Sequence, residues 1–79
     1  MAKIWNYLYN ADRICVKNSL DSAELYINDQ LQDRKTGISL QTELSGKLPS
    51  GESVKANLGG VLVMECTLFV DNVLQHQIK

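Results

Sequence analysis

Apolar and polar residues alternate along much of this chain. In ISLQTELSGKL, Ile38, Leu40, Thr42, Leu44 and Leu48 fall on one parity, and Ser39, Gln41, Glu43, Ser45 and Lys47 on the other. A period of two places successive side chains on opposite faces of a strand, so the segment predicts a half-buried strand. Gly46 shares the inward parity, which suggests a bulge or a close approach of another backbone. Pro49-Ser50-Gly51 supplies a turn, and ESVKANL returns with Val54, Ala56 and Leu58 inward.

The same reading extends in both directions. Downstream, VLVMECTLFV aligns Leu62, Met64, Cys66, Leu68 and Val70 on one face, with Val61, Val63, Glu65, Thr67 and Phe69 on the other. Apolar groups on both parities predict a strand that is central in its sheet or covered on both faces, followed by a last short strand, VLQHQIK. Upstream, DRICVKN points Ile14 and Val16 one way and Cys15 the other, and AELYI aligns Ala23, Leu25 and Ile27. DRKTG reads as a polar loop. Residues 3–10 fit either a strand, with Trp5, Tyr7 and Tyr9 on one face, or a short helix with Ile4, Trp5 and Leu8 in a stripe. Aromatic enrichment favours the strand.

One pattern is written twice. Leu25, Tyr26, Ile27, Asn28, Asp29, Leu31 and Gln32 match Leu68, Phe69, Val70, Asp71, Asn72, Leu74 and Gln75 at a fixed spacing of 43 positions. The simplest account is a strand, a tight Asn/Asp turn and a return strand, used once in each half of the domain. It predicts Ile27 and Val70 buried, with Asp29 and Asn72 exposed. Calcium held between the two turns is disfavoured, because the ion takes about six to eight oxygens and neither turn approaches that density.

The expected fold is all-β, a small antiparallel β-sandwich or partly open barrel of six or seven short strands. Parallel strands would need crossovers of a dozen or more residues, and the connections here are shorter. At 79 residues the chain is expected to form a single domain over 1–79. A core this small supplies on the order of 3–5 kcal/mol, so a second subunit would contribute substantially.

Charge and candidate chemistry remove several function classes. Eight Lys and Arg against nine Asp and Glu leave a formal net charge of −1, with no basic patch to neutralise phosphates. Nucleic-acid binding is therefore not expected. No apolar run approaches the ~20 residues of a membrane helix, and the N-terminal MAKIWNYLYNADR lacks the apolar stretch of a secretory signal. The expected location is cytoplasmic. Cys15 and Cys66 are too few for a disulfide framework and too far apart for CxxC chemistry, and read as small hydrophobes in strands. His76 is the only histidine, so a metal site or a catalytic relay would have to be built around it alone. No cofactor and no enzymatic activity are expected.

What remains is binding. Trp5, Tyr7 and Tyr9 line one face, and Tyr26 and Phe69 lie off the Leu-rich parity of their strands. Those five rings are candidate ligand contacts if their faces adjoin; otherwise they cover the core or pair across strands. The leading expectation is a protein-interaction or assembly module, self-associating as a homo-oligomer through a sheet edge or apolar face. The N-terminal strand and Val61–Val70 are the candidate edges. Its partner is itself or another protein, and a carbohydrate stacked on Trp5, Tyr7 and Tyr9 is the alternative.

Overall fold

The computed structural model describes residues 3–19, 21–37, 41–60 and 64–78. It is an antiparallel β-sandwich of two four-stranded meanders. The first sheet holds β1 (Lys3–Tyr9), β2 (Asp12–Asn18), β3 (Ser22–Ile27) and β4 (Gln30–Thr36) in chain order. The second repeats the arrangement with β5 (Gln41–Lys47), β6 (Ser53–Gly59), β7 (Glu65–Val70) and β8 (Val73–Ile78). The expectations for Ile38, Leu40 and Val61 to Val63 lie outside the described residues, as does the side chain of His76.

Eight strands form where six or seven were expected: the return arm expected after Asn28-Asp29 is a full strand, β4, that runs on through DRKT, the segment read as a polar loop. QLQDRKT shows no apolar alternation and exposes nearly every side chain; it is a strand because its backbone pairs with β3. The N-terminal segment is a strand rather than a helix. The strand containing Cys66 and Leu68 is internal, between β6 and β8, so it offers no edge.

Inward parity matches the expectation closely. Trp5, Ile14, Val16, Ala23, Leu25 and Ile27 of the first sheet meet Leu44, Val54, Ala56, Leu58, Cys66, Leu68 and Val70 of the second, with Leu48 at the edge of the core. Cys15 departs from the reading as a buried hydrophobe. It is half-buried on the outer face of the first sheet, because Ile14 and Val16 take the inward positions.

The doubled pattern is a doubled structure. Asn28-Asp29 and Asp71-Asn72 are two-residue turns with positive φ throughout, at 51° and 67°, then 51° and 65°. Those values are the left-handed conformation of a type I′ hairpin, which Asn and Asp enter without Gly. Each hairpin then bulges at its glutamine. Tyr26 pairs with Leu31 and Leu25 with Asp33, leaving Gln32 unopposed; Phe69 pairs with Leu74 and Leu68 with His76, leaving Gln75 unopposed. Ile27 and Val70 are buried, and Asp29 and Asn72 exposed.

The first residue of each turn also ties its hairpin to the neighbouring strand. Asn28 donates its backbone N–H to the Arg13 carbonyl at 2.8 Å, and its Oδ1 accepts the Arg13 N–H at 2.9 Å. Asp71 repeats both contacts with Ser53, at 2.9 and 3.0 Å. Asn28→Gly keeps the backbone conformation but loses the side-chain acceptor, so it should cost about 1 kcal/mol by urea denaturation. The exposed Arg13–Asp29 ion pair beside it, at 2.7 Å, contributes little of that.

Candidate interaction edge

The aromatic residues are not brought together. Trp5 is only 2% exposed and sits in the core; Tyr7 and Tyr9 pack against that core from the same inner face. Tyr26 lies on the opposite, outer face of the first sheet, paired with Cys15 and Leu31. Phe69 occupies the equivalent outer position of the second sheet, between Lys55 and Leu74. The period-two reading of Trp5, Tyr7 and Tyr9 is right about their shared face, but that face is inward. A small core needs the area of its largest side chains. Trp5 therefore presents no ring face to a ligand, and the sugar-stacking platform built on it does not form.

The tyrosine hydroxyls are held by acids. Tyr9 donates to Glu52 Oε2 at 3.2 Å, and Tyr26 to Glu24 Oε1 at 3.1 Å, with the Lys17 ammonium 4.8 Å from the Tyr26 ring centre. These hydrogen bonds are the first cause of the raised pKa of each tyrosine.

Neither thiol is poised as a nucleophile. Burial pushes the Cys66 thiol up from 9.0 to about 11. It raises Cys15 as well, against the opposing pull of Lys17. Thiolates are the reactive form, and both sites disfavour them. Cys15 faces outward from one sheet and Cys66 inward from the other, so sheet lies between them and both are free. Because the folded state holds the Cys66 proton more tightly, stability is full below pH 9.0 and falls as pH rises towards about 11. Urea midpoints across that range should drop, and Cys66→Ala should flatten the drop.

The clefts are shallow and open to solvent. One of about 470 Å³ is lined by Asn18, Ser22, Lys35, Thr36, Gln41 and Met64 among others. Its Ser19 and Ser22 hydroxyls are committed to each other at 2.9 Å. Among the described residues no group of three His, Cys, Asp or Glu side chains comes together, and no helix is long and apolar enough to cross a membrane.

The distinctive feature is one sheet edge. Each sheet has two edge strands, and three of the four are guarded. The bulge at Gln32 interrupts β4, which also carries Asp33, Arg34 and Lys35. A bulge at Gln75 interrupts β8. Asp33 Oδ2 closes β5 by accepting the Ser45 N–H at 2.9 Å, and Gln32 packs against Gly46 of the same strand. Bulges, charges and covering groups are the standard protections against edge pairing.

Among the described residues, β1 has none of these. Its register with β2 runs unbroken from Lys3 to Tyr9, without proline, and Lys3 is its one charge. The Lys3 ammonium is already bound to the Met64 carbonyl at 2.8 Å. Which groups face outward follows from the neighbouring strands. Arg13 uses its carbonyl towards β3, accepting from Asn28. Leu8, opposite Arg13, is therefore in a non-hydrogen-bonded pair and turns its N–H and C=O to the free edge. By alternation Ile4 and Asn6 do the same. Their side chains project from the outer face, where Ile4 is 52% and Leu8 64% exposed. Cys15, Tyr26 and the exposed Leu31 continue that face across the sheet.

Comparisons with protein-family models, curated proteins and solved structures return no match. The class established is that of the fold, an all-β antiparallel sandwich, and the functional reading rests on the geometry of its edge.

Proposed function

We propose that this domain is a non-catalytic assembly module that associates with further copies of itself through the β1 edge. The observation that carries the reading is the contrast between β1 and the other edges. Three strands are bulged, charged or covered, while among the described residues the backbone of Ile4, Asn6 and Leu8 on β1 has no partner, beside two exposed aliphatic side chains. A flat apolar edge of this kind pairs readily with another strand. Association would also bury surface that a core of this size cannot cover alone. No cofactor enters the reading.

Sedimentation equilibrium over a wide concentration range tests it. The wild-type chain should shift from monomer to dimer as concentration rises. Ile4→Lys should weaken that association roughly tenfold or more, as charge replaces a buried contact. A strict monomer at the highest concentration would exclude the reading.

A further inference from the structure

We infer that two copies join β1 to β1 in an antiparallel register whose two-fold axis passes through Asn6, extending each four-stranded sheet into one continuous eight-stranded sheet. The inference rests on the proposed role of the β1 edge and deepens it to a specific pairing. Its starting point is the set of backbone groups on Ile4, Asn6 and Leu8, spaced evenly along the strand, that face away from β2 and have no partner among the described residues. A two-fold at Asn6 sets Asn6 opposite the second copy's Asn6, Ile4 opposite its Leu8, and Leu8 opposite its Ile4. All three positions then fall in hydrogen-bonded pairs, and each pair exchanges both N–H···O=C bonds, for about six backbone hydrogen bonds.

Neighbouring registers do worse. An axis through Trp5 sets Ile4 against the amide of Asn6, and an axis through Tyr7 sets Leu8 against it. An axis through Ile4 leaves Leu8 beyond the end of the partner strand, and one through Leu8 runs Asn6 into the turn at Asn10, whose φ of 55° breaks the strand. Only the Asn6 register matches aliphatic to aliphatic on the outer face while satisfying every free group. Cross-strand apolar pairs of this kind stabilise an antiparallel ladder, and they select one register over its neighbours.

The other face agrees. Trp5 would stand opposite the second copy's Tyr7, so the inner aromatic row continues across the junction and covers rings that the single chain leaves half-buried. Lys3 would stand opposite the second copy's Tyr9, whose hydroxyl bonds the Glu52 carboxylate. Unlike charges are thus brought near each other at both ends of the junction. β1 carries no acid that would face its own copy, and its lysine lies at the end of the strand, away from the axis. The edge is self-complementary in shape, hydrogen bonding and charge, which favours a second copy over an unrelated strand.

Oxidative cross-linking in a Cys15→Ser background tests the register, since Cys15 would otherwise compete as the neighbour of position 6. Opposed residues in a hydrogen-bonded pair have Cα atoms about 5.5 Å apart, within the range a disulfide spans. Asn6→Cys should form a covalent dimer of doubled mass on mild oxidation. Ile4→Cys and Leu8→Cys should each stay monomeric alone and cross-link when mixed. The mixed pair keeps the test available should Asn6→Cys fail to fold. If the chain dimerises in solution but Ile4→Cys cross-links to itself, the register is wrong while the assembly reading stands. If sedimentation finds only monomer, both fall.

Discussion

Trp5→Ala is expected to leave the chain unfolded at room temperature. Trp5 is the largest buried side chain in the domain and lies in an edge strand, with the core to one side of it. Truncating a buried Trp to Ala costs about 3–5 kcal/mol through lost transfer energy and the cavity left behind. That matches the whole stability expected of a domain this size, on the order of 3–5 kcal/mol. Circular dichroism and amide proton dispersion should both report loss of the sheet. Trp5→Phe is expected to behave differently. The Trp5 Nε1–H is buried and has no hydrogen-bond partner among the described residues, so its desolvation counts against the folded state. Removing that group with the indole offsets part of the lost burial, and Trp5→Phe should fold. Equal unfolding by both variants would show that the indole is held by something other than its apolar area.

The second large effect lies at Gly46. A Cβ built there would stand 2.9 Å from Gln32 Cβ and 3.1 Å from Gln32 Cγ. The nearer atom is fixed to the backbone of β4 at its bulge and cannot swing aside as a side-chain tip would. Gly46→Val should therefore cost about 2–3 kcal/mol by forcing β4 and β5 apart. The Asp33 contact to the Ser45 N–H would be strained with it. Because Gln32 is the obstacle, Gln32→Gly should restore part of the loss, glycine being well tolerated at a bulge. A double-mutant cycle by urea denaturation checks this: the two changes should couple favourably by more than 0.5 kcal/mol, and additivity would mean that Gly46 is required for another reason.

The elements most legible in the sequence were those with one wet and one dry face. Leu44, Val54, Ala56 and Leu58 announce β5 and β6 by parity alone, and Pro49-Ser50-Gly51 marks the connection, with Gly51 at a φ of 100°. β4 was legible only at its start, as the return arm after Asn28-Asp29, and its run through DRKT was hidden for the converse reason. Its side chains are solvated on both faces, and only backbone pairing, which leaves no hydrophobic signature, makes it a strand. The repeated Leu-Gln was visible, but its meaning was not. A bulge is a property of two strands in register, and the sequence displays one strand at a time.

The candidate site was legible in part. Parity grouped Trp5, Tyr7 and Tyr9 correctly and put Ile4 and Leu8 opposite them. It could not say which group faces the second sheet, because both are apolar enough to do so. Strand order was the other missing quantity. Val61–Val70, read as central or covered on both faces, and the N-terminal strand both stayed open as edges until pairing placed β7 inside its sheet and β1 outside. The protection of β5 was equally out of reach, since Asp33 and Ser45 meet across two sheets.

The central claim, that β1 is an open edge completed by a second copy, is tested most directly by amide hydrogen exchange measured at low and high protein concentration. The account predicts that the amides of Ile4, Asn6 and Leu8 exchange freely on dilution and become protected as concentration rises. The Ser45 amide, already bound to Asp33, should be unaffected by concentration. Rapid exchange at Ile4, Asn6 and Leu8 at every concentration, or protection appearing along β4 or β8 instead, would contradict it.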